Sequence, residues 1–298
     1  GVGVYGSGNS QVVNFGQRSF TYTPPANHLA LCTTNLPDPT ISNPSTVFDT
    51  ALFTGNGSSQ TISGLGFSPD LVWTKLRSIG FGHRIWDTVR GATKRLEPHA
   101  TTAETTEATA LTAFTSDGFS VGAESNVNLN SGSLVAWAWD AGSSTVSNTD
   151  GSVTTSVRAN ASAGFSIVTG TQNSNNTLNT FGHGLGAEPK MIILKRTNGS
   201  EDWYVYHTEL GNTSRVQLNS NAAVTTGSGV WGSTTPTSSV FTIQSFNAGD
   251  LVAYCISPVS GYSAVGSYTG NGSSDGPFVF TGMKPAWLLV KKTNAAES

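Results

Sequence analysis

Charge is what this sequence has least of. Asp, Glu, Lys and Arg make up 11% of its 298 residues, under half the usual share. The formal net charge is −3 and the pI near 5.9, so there is no electrostatic footprint for a polyanion and no nucleic-acid partner is expected. Long apolar runs are missing too: none approaches the roughly 18 residues of a membrane helix. The opening stretch Gly1 to Ser10 has neither the basic nor the apolar part of a leader, so neither membrane insertion nor a signal peptide is expected. Cysteine is nearly absent. Cys32 and Cys255 stand far apart, which gives no disulfide framework and no zinc cluster, and two reduced, buried thiols are expected.

The residues that carry chemistry are equally sparse. His28, His83, His99, His183 and His207 show no close pairing and no carboxylates at ligand spacing, so no metal and no cofactor are expected. Carboxylates such as Asp117, Glu124 and Asp140 are scattered, with nothing to pair them as glycoside cleavage requires. The Gly-Asn-Gly-Ser-Ser turns lack the Lys and helix of a phosphate loop, and the Trp-Asp dipeptides lack a propeller period. The expectation is a protein that is not an enzyme.

What fills the sequence instead is Gly, with 34 residues, and Ser, Thr and Asn, around a hydrophobic content of 37%. Few windows suit a helix, while turns and exposed strand faces are well supplied. The fold class is all-β, as tandem sandwich modules of jelly-roll or lectin-like type. Residues 92–113 leave two readings open, a short helix or an extended Thr-rich loop.

Self-similarity divides the chain. Gly64-Leu65-Gly66 and Pro69 recur as Gly184-Leu185-Gly186 and Pro189, and the gapless register continues to Gly91 and Gly211 with seven identities in 28 positions. Leu71 to Lys75 matches Met191 to Lys195, and Gly132 to Trp137 matches Gly249 to Tyr254. Thr269 to Ser274 repeats Thr54 to Ser59, and Pro285 to Lys291 opens a further apolar strand. The divisions expected are residues 1–45 as closing strands of a preceding domain with a linker, 46–144 as repeat 1, 145–258 as a linker or crossing strand with repeat 2, and 259–298 as the start of a truncated repeat 3. Asn-Gly turns predict hairpins, and each apolar run ending in Lys predicts a buried strand whose last side chain reaches water. Val72, Ile192, Trp137 and Tyr254 are expected in the core.

The motifs Phe53 to Trp73, Asp87 to Leu96, Phe114 to Gly122 and Val135 to Val146, in that order, resemble a repeat of bacteriophage tail-fibre-type structural proteins. The segments Val12 to Phe20 and Leu29 to Pro37 resemble the closing strands of concanavalin-like SPRY domains in marine phage proteins. The resemblance implies a virion-surface or appendage protein, assembled in the host cytoplasm, whose partners are copies of itself as a homotrimer or polymer, other virion proteins and host-surface glycans. A capsid-decorating or purely architectural role is the alternative, and a polysaccharide depolymerase the weakest. Asp87 to Gly91 departs from its counterpart His207 to Gly211, so a role for that charged loop does not carry over to both repeats.

The strongest local cluster runs from His83 to Arg90, with a mirror at Asp202 to His207. Trp86, Asp87, Arg90, Trp203, Tyr206 and His207 combine rings with polar groups, as a glycan site requires. A second arrangement fits as well: alternate aromatics fill the core while the charges decorate the other strand face or an inter-module contact.

Overall fold

The computed structural model describes residues 39–294, together with residues 18, 19, 21, 23 and 25. Cys32, His28 and almost all of the two SPRY-like segments lie outside them. The chain divides into a unit of residues 1–39 and a unit of residues 40–298, and the fold described is that of the second.

Repeat 1 is two antiparallel sheets face to face. The first has the order β1 (Phe48–Thr54), β9 (Ser133–Trp139), β3 (Leu71–Leu76), β4 (Arg84–Asp87). The second has the order β2 (Gln60–Ile62), β8 (Gly118–Val121), β7 (Leu111–Thr115). Since β1 and β2 belong to different sheets, the Gly55-Asn56-Gly57 turn is an arch between layers and not the hairpin its Asn-Gly predicts. What fixes it is a non-local clasp: the Asn128 side chain accepts from the Asn56 amide at 2.9 Å and donates to the Asn56 side chain at 3.1 Å.

Repeat 2 reproduces this wiring. Its sheet contains the order β12 (Phe165–Gln172), β19 (Gly249–Ile256), β14 (Met191–Arg196), β15 (Tyr204–His207), faced by the pair β13 (Asn179–Gly182) and β18 (Val240–Ile243). The registers coincide: Trp73 lies opposite Trp137 and Ile193 opposite Tyr254, Thr74 opposite Ala136 and Leu194 opposite Ala253. The correspondence runs further than the sequence comparison carries it. In β5 (Lys94–Arg95) and β6 (Thr105–Thr106), Arg95 pairs with Thr105, just as Arg215 pairs with Thr225 in β16 (Ser214–Gln217) and β17 (Thr225–Thr226). Residues 92–113 are therefore extended. The α-helix among the described residues is one turn, α1 (Ser125–Asn128). The small, polar 140–162 stretch forms β10 (Thr145–Asn148) and β11 (Thr155–Asn160), which widen the second sheet beyond β12.

Alternation along the strands sorts the apolar side chains into three cores. Val72, Trp86, Ala136 and Ala138 face Phe119 and Val121 inside repeat 1, and Ile192, Leu194 and Ala253 face Phe181 and Phe241 inside repeat 2. The third core lies between the repeats, where Leu71, Trp73 and Ile85 meet Ile193, Val205, Val252 and Tyr254. Both repeats present the same face of equivalent strands to each other. Residues 48–256 thus form four stacked β-layers, which explains why β3 and β14 read as unbroken apolar runs: both of their faces are covered.

Several details depart from the sequence reading. Val72, Ile192 and Tyr254 are buried, and Trp137 is partly buried, packed against the inter-repeat core. Of the two strand-ending lysines, Lys75 stays partly exposed and donates to the Leu76 carbonyl at 2.5 Å, whereas Lys195 is entirely buried. Cys255 is a free, buried thiol, which burial holds above its ordinary pKa. The described residues 257–294 contain no strand, so the partial third copy does not form its expected strands.

Candidate functional site

The inter-repeat contact is built around Arg90. The loop after β4 turns at Gly91, whose φ of +111° an L side chain resists, and Asp87 accepts the Arg90 amide at 2.9 Å, folding the guanidinium back toward repeat 2. Arg90 Nε then donates to Asp87 at 2.6 Å, Nη1 to Glu104 at 3.0 Å and Nη2 to the Tyr254 hydroxyl at 3.3 Å. The Tyr254 hydroxyl donates to the same Asp87 carboxylate at 2.8 Å. Asp87 is wholly buried. Burial alone would lower the Arg90 pKa, but Asp87, Tyr254 and Glu104 outweigh it and leave the guanidinium above its ordinary value. For Tyr254 burial acts in the same direction as Asp87, and its hydroxyl is held well above the usual phenol range.

Further polar ties flank this hub. Buried Asp70 accepts Arg158 Nε at 2.6 Å, the Thr88 hydroxyl at 3.0 Å and the Ala141 amide at 2.8 Å; burial nonetheless raises its pKa against those bonds. On the other side, the loop at 97–104 lies against repeat 2. Trp203 Nε1 donates to the Glu97 and Ala100 carbonyls at 2.9 and 3.2 Å, and Lys195 Nζ donates to the Thr101 carbonyl at 3.1 Å. Desolvation brings the Lys195 pKa down to about 8.

The cluster singled out in sequence is therefore divided by the fold. Trp86 is buried inside repeat 1, Trp203 between the repeats and Tyr206 inside repeat 2, each at most 1% exposed. No ring of the three presents a face to solvent. Asp87 and Arg90 belong to the inter-repeat hub. His207 accepts the Glu209 amide on Nδ1 at 3.2 Å, capping a short 3-10 turn, and burial lowers its pKa. Of the six, Asp87 and Arg90 are joined by hydrogen bonds to the Asp87 side chain.

Beside the hub opens a groove of about 640 Å³. One wall is Val89, Arg90 and Glu104 of repeat 1, and the other is β11, β12 and Asp250 of repeat 2. Thr154, Ser156 and Thr169 line it, and Thr171 donates to Asp250 at 2.8 Å. It is lined with hydroxyls and carboxylates and has no ring. Sequence reasoning missed Glu104, Ser156, Thr169 and Asp250 because they come from segments far apart in the chain. The one local trace is Thr169-Gly170-Thr171 alternating against buried Val168. Among the described residues no three His, Cys, Asp or Glu side chains are placed to hold a metal ion.

Fold and site together define a class: a fused pair of β-sandwich repeats, joined through a shared apolar core and a buried Arg–Asp–Tyr hub, with a polar groove at the seam. The chain belongs to the family described as a domain of unknown function (DUF7483), whose model matches residues 43–298. That match encloses both repeats. No curated protein and no solved structure matches the chain.

Proposed function

We propose that the chain is a non-enzymatic structural protein of a bacteriophage particle, in a tail fibre or similar appendage, contributing to attachment at the host surface. The observation that carries the reading is the fusion of two repeats into one four-layer body around a shared core, a building block whose buried carboxylates Asp70 and Asp87 serve its own architecture. Asp87 and Glu104 are committed to Arg90 and Asp70 to Arg158, while Glu124 and Asp140 cap local turns. The resemblance of the repeat motifs to those of phage appendage proteins motivates the virion assignment. Mass spectrometry of purified particles should find this chain among the structural proteins; particles that lack it overturn the reading.

Host-surface glycans are the attachment target in this reading, and the groove beside the hub, whose polar residues can hydrogen-bond sugar hydroxyls, is where they are tested. The burial of Trp86, Trp203 and Tyr206 favours the second reading, an architectural or particle-decorating protein that binds no receptor. A glycan array separates the two. Binding that Thr169→Phe abolishes by filling the groove supports attachment, and silence across host-envelope glycans supports architecture.

A further inference from the structure

The loop after β5 holds repeat 2 by two bonds at fixed places in the repeat. The Glu104 amide donates to the Thr197 carbonyl at 2.7 Å, and Lys195 Nζ donates to the Thr101 carbonyl at 3.1 Å. A matching pair of bonds recurs one repeat further on. The Val224 amide donates to the Thr293 carbonyl at 2.9 Å, and Lys291 Nζ donates to the Ser220 carbonyl at 2.6 Å. Glu104 and Val224 precede the equivalent residues Thr105 and Thr225. The alignment of Pro189 with Pro285 places Lys195 on Lys291 and Thr197 on Thr293, and the two lysine acceptors differ by a single step along the loop. Repeat 1 therefore grips repeat 2 as repeat 2 grips residues 285–293. The joint has a direction: the loop of one unit lies on the Lys-ending segment of the next.

A directed joint either runs on as an open series or closes into a ring. Trp287 decides between them. It stands at the position of Leu71 and Met191, yet it packs on repeat 1, with its ring centroid 5.5 Å from that of Trp139 and 6.4 Å from that of Phe48. Phe48 lies opposite Trp139 just as Phe165 lies opposite Ile256, so the two partners of Trp287 are the equivalents of Phe165 and Ile256. Leu71 shares the inter-repeat core with those same two residues. The third segment thus meets repeat 1 in the way repeat 1 meets repeat 2. Trp139 also reaches Phe165 at 6.3 Å between centroids, so rings from all three units come together at one junction.

We infer that residues 285–293 are the third member of a closed ring, in which each unit grips the next and the third returns to the first about a pseudo-threefold axis near Trp139. The loop at 217–224 and the Phe48–Trp139 face are then two halves of one docking surface, and its occupant is the third repeat segment of the same chain. This ring stands whether or not the protein attaches to a host surface.

Hydrogen exchange on the full chain tests it, because the ring couples Phe48 of repeat 1 to the Val224 amide of repeat 2 through residues 287–293. The Val224 amide should exchange slowly in the native chain, and Trp287→Ala and Phe48→Ala should each speed it by about tenfold or more. Leu52→Ala, on the same strand as Phe48 but 67% exposed, should leave it unchanged. The Glu104 amide, which reports the joint between the two complete repeats, should be unaffected by all three, and no rate should depend on protein concentration. Fast exchange at Val224 in the native chain overturns the proposal. So does a Phe48→Ala chain that keeps Val224 slow, which is the behaviour of an open series. A speeding shared equally by Glu104 is general loosening and overturns it too, as does protection that grows with concentration, which places the third segment on a neighbouring chain.

Discussion

Replacing Arg90 with Leu tests whether the two repeats are one cooperative unit. The substitution removes the cation between Asp87, Glu104 and the Tyr254 hydroxyl, and Asp87 keeps a carboxylate with no exposed surface. Breaking a buried pair from one side costs about 3–5 kcal/mol, because the remaining charge is left uncompensated. Repeat 2 carries Leu210 at the matching position, opposite His207 in place of Asp87. Leu is therefore compatible with the backbone, and the cost belongs to the orphaned charge. Asp87→Asn with Arg90→Leu should accordingly recover a large part of the loss. At roughly 2–4 °C per kcal/mol for a chain of this size, the single variant should melt roughly 6–20 °C lower, and the double variant well above the single. Scanning calorimetry gives both the shift and the number of transitions: the native chain should unfold in one, and Arg90→Leu should separate the repeats into two. A single variant within about 1 kcal/mol of native, or a double variant as unstable as the single, would refute the reasoning.

Three further outcomes follow from other contacts. His83 accepts the Trp73 indole N–H at 2.9 Å, and burial, with the positive charges of Lys75 and His99, holds its pKa near 4 against an ordinary 6.5. Because the folded state favours the neutral ring, this contribution is complete above pH 6.5 and disappears as the pH falls toward 4, at about 1–2 kcal/mol once partial exposure is allowed for; His83→Gln should flatten that part of the stability profile in melts between pH 7 and 4. Lys195, with its pKa lowered to about 8, binds its proton more tightly when unfolded, so stability should climb as the pH rises from 8 toward 10.5. Relative to Lys195→Met, the native chain should gain about 2 kcal/mol between pH 7 and 9.5 in urea titrations, and parallel profiles would contradict the assignment. Sedimentation should show a homo-oligomer, a trimer being the expected form, at micromolar concentration; a stable monomer there would remove the self-assembly part of the proposed function.

The repeat was legible in sequence because it is written in local patterns. Gly64-Leu65-Gly66 with Pro69, the apolar run to Lys75 and the Leu134-Val135-Ala136 strand mark the same strand positions in both copies, and a one-residue slip would turn every core side chain outward. All-β character followed from composition for the same reason: turn residues and β-formers act on their own backbone. The six candidate site residues were legible only as a cluster. A ring next to a charge on a strand says that the two point to opposite faces, and nothing in the chain says which face is wet.

Sequence alone determined the all-β class and the strand positions that the two repeats share. Only the tertiary structure decided what the second face of each sheet meets. An unbroken apolar run such as Leu71-Val72-Trp73 requires cover on both sides but does not name the cover. That cover is the equivalent face of the other repeat, with Arg90, Asp87 and Tyr254 at its edge, so the aromatics that resemble a sugar platform are interior. The sheet order was likewise beyond local reading. A strand adjacent in sequence need not be adjacent in space, and the closing strand takes the middle of each sheet because pairing with two neighbours satisfies both of its backbone edges.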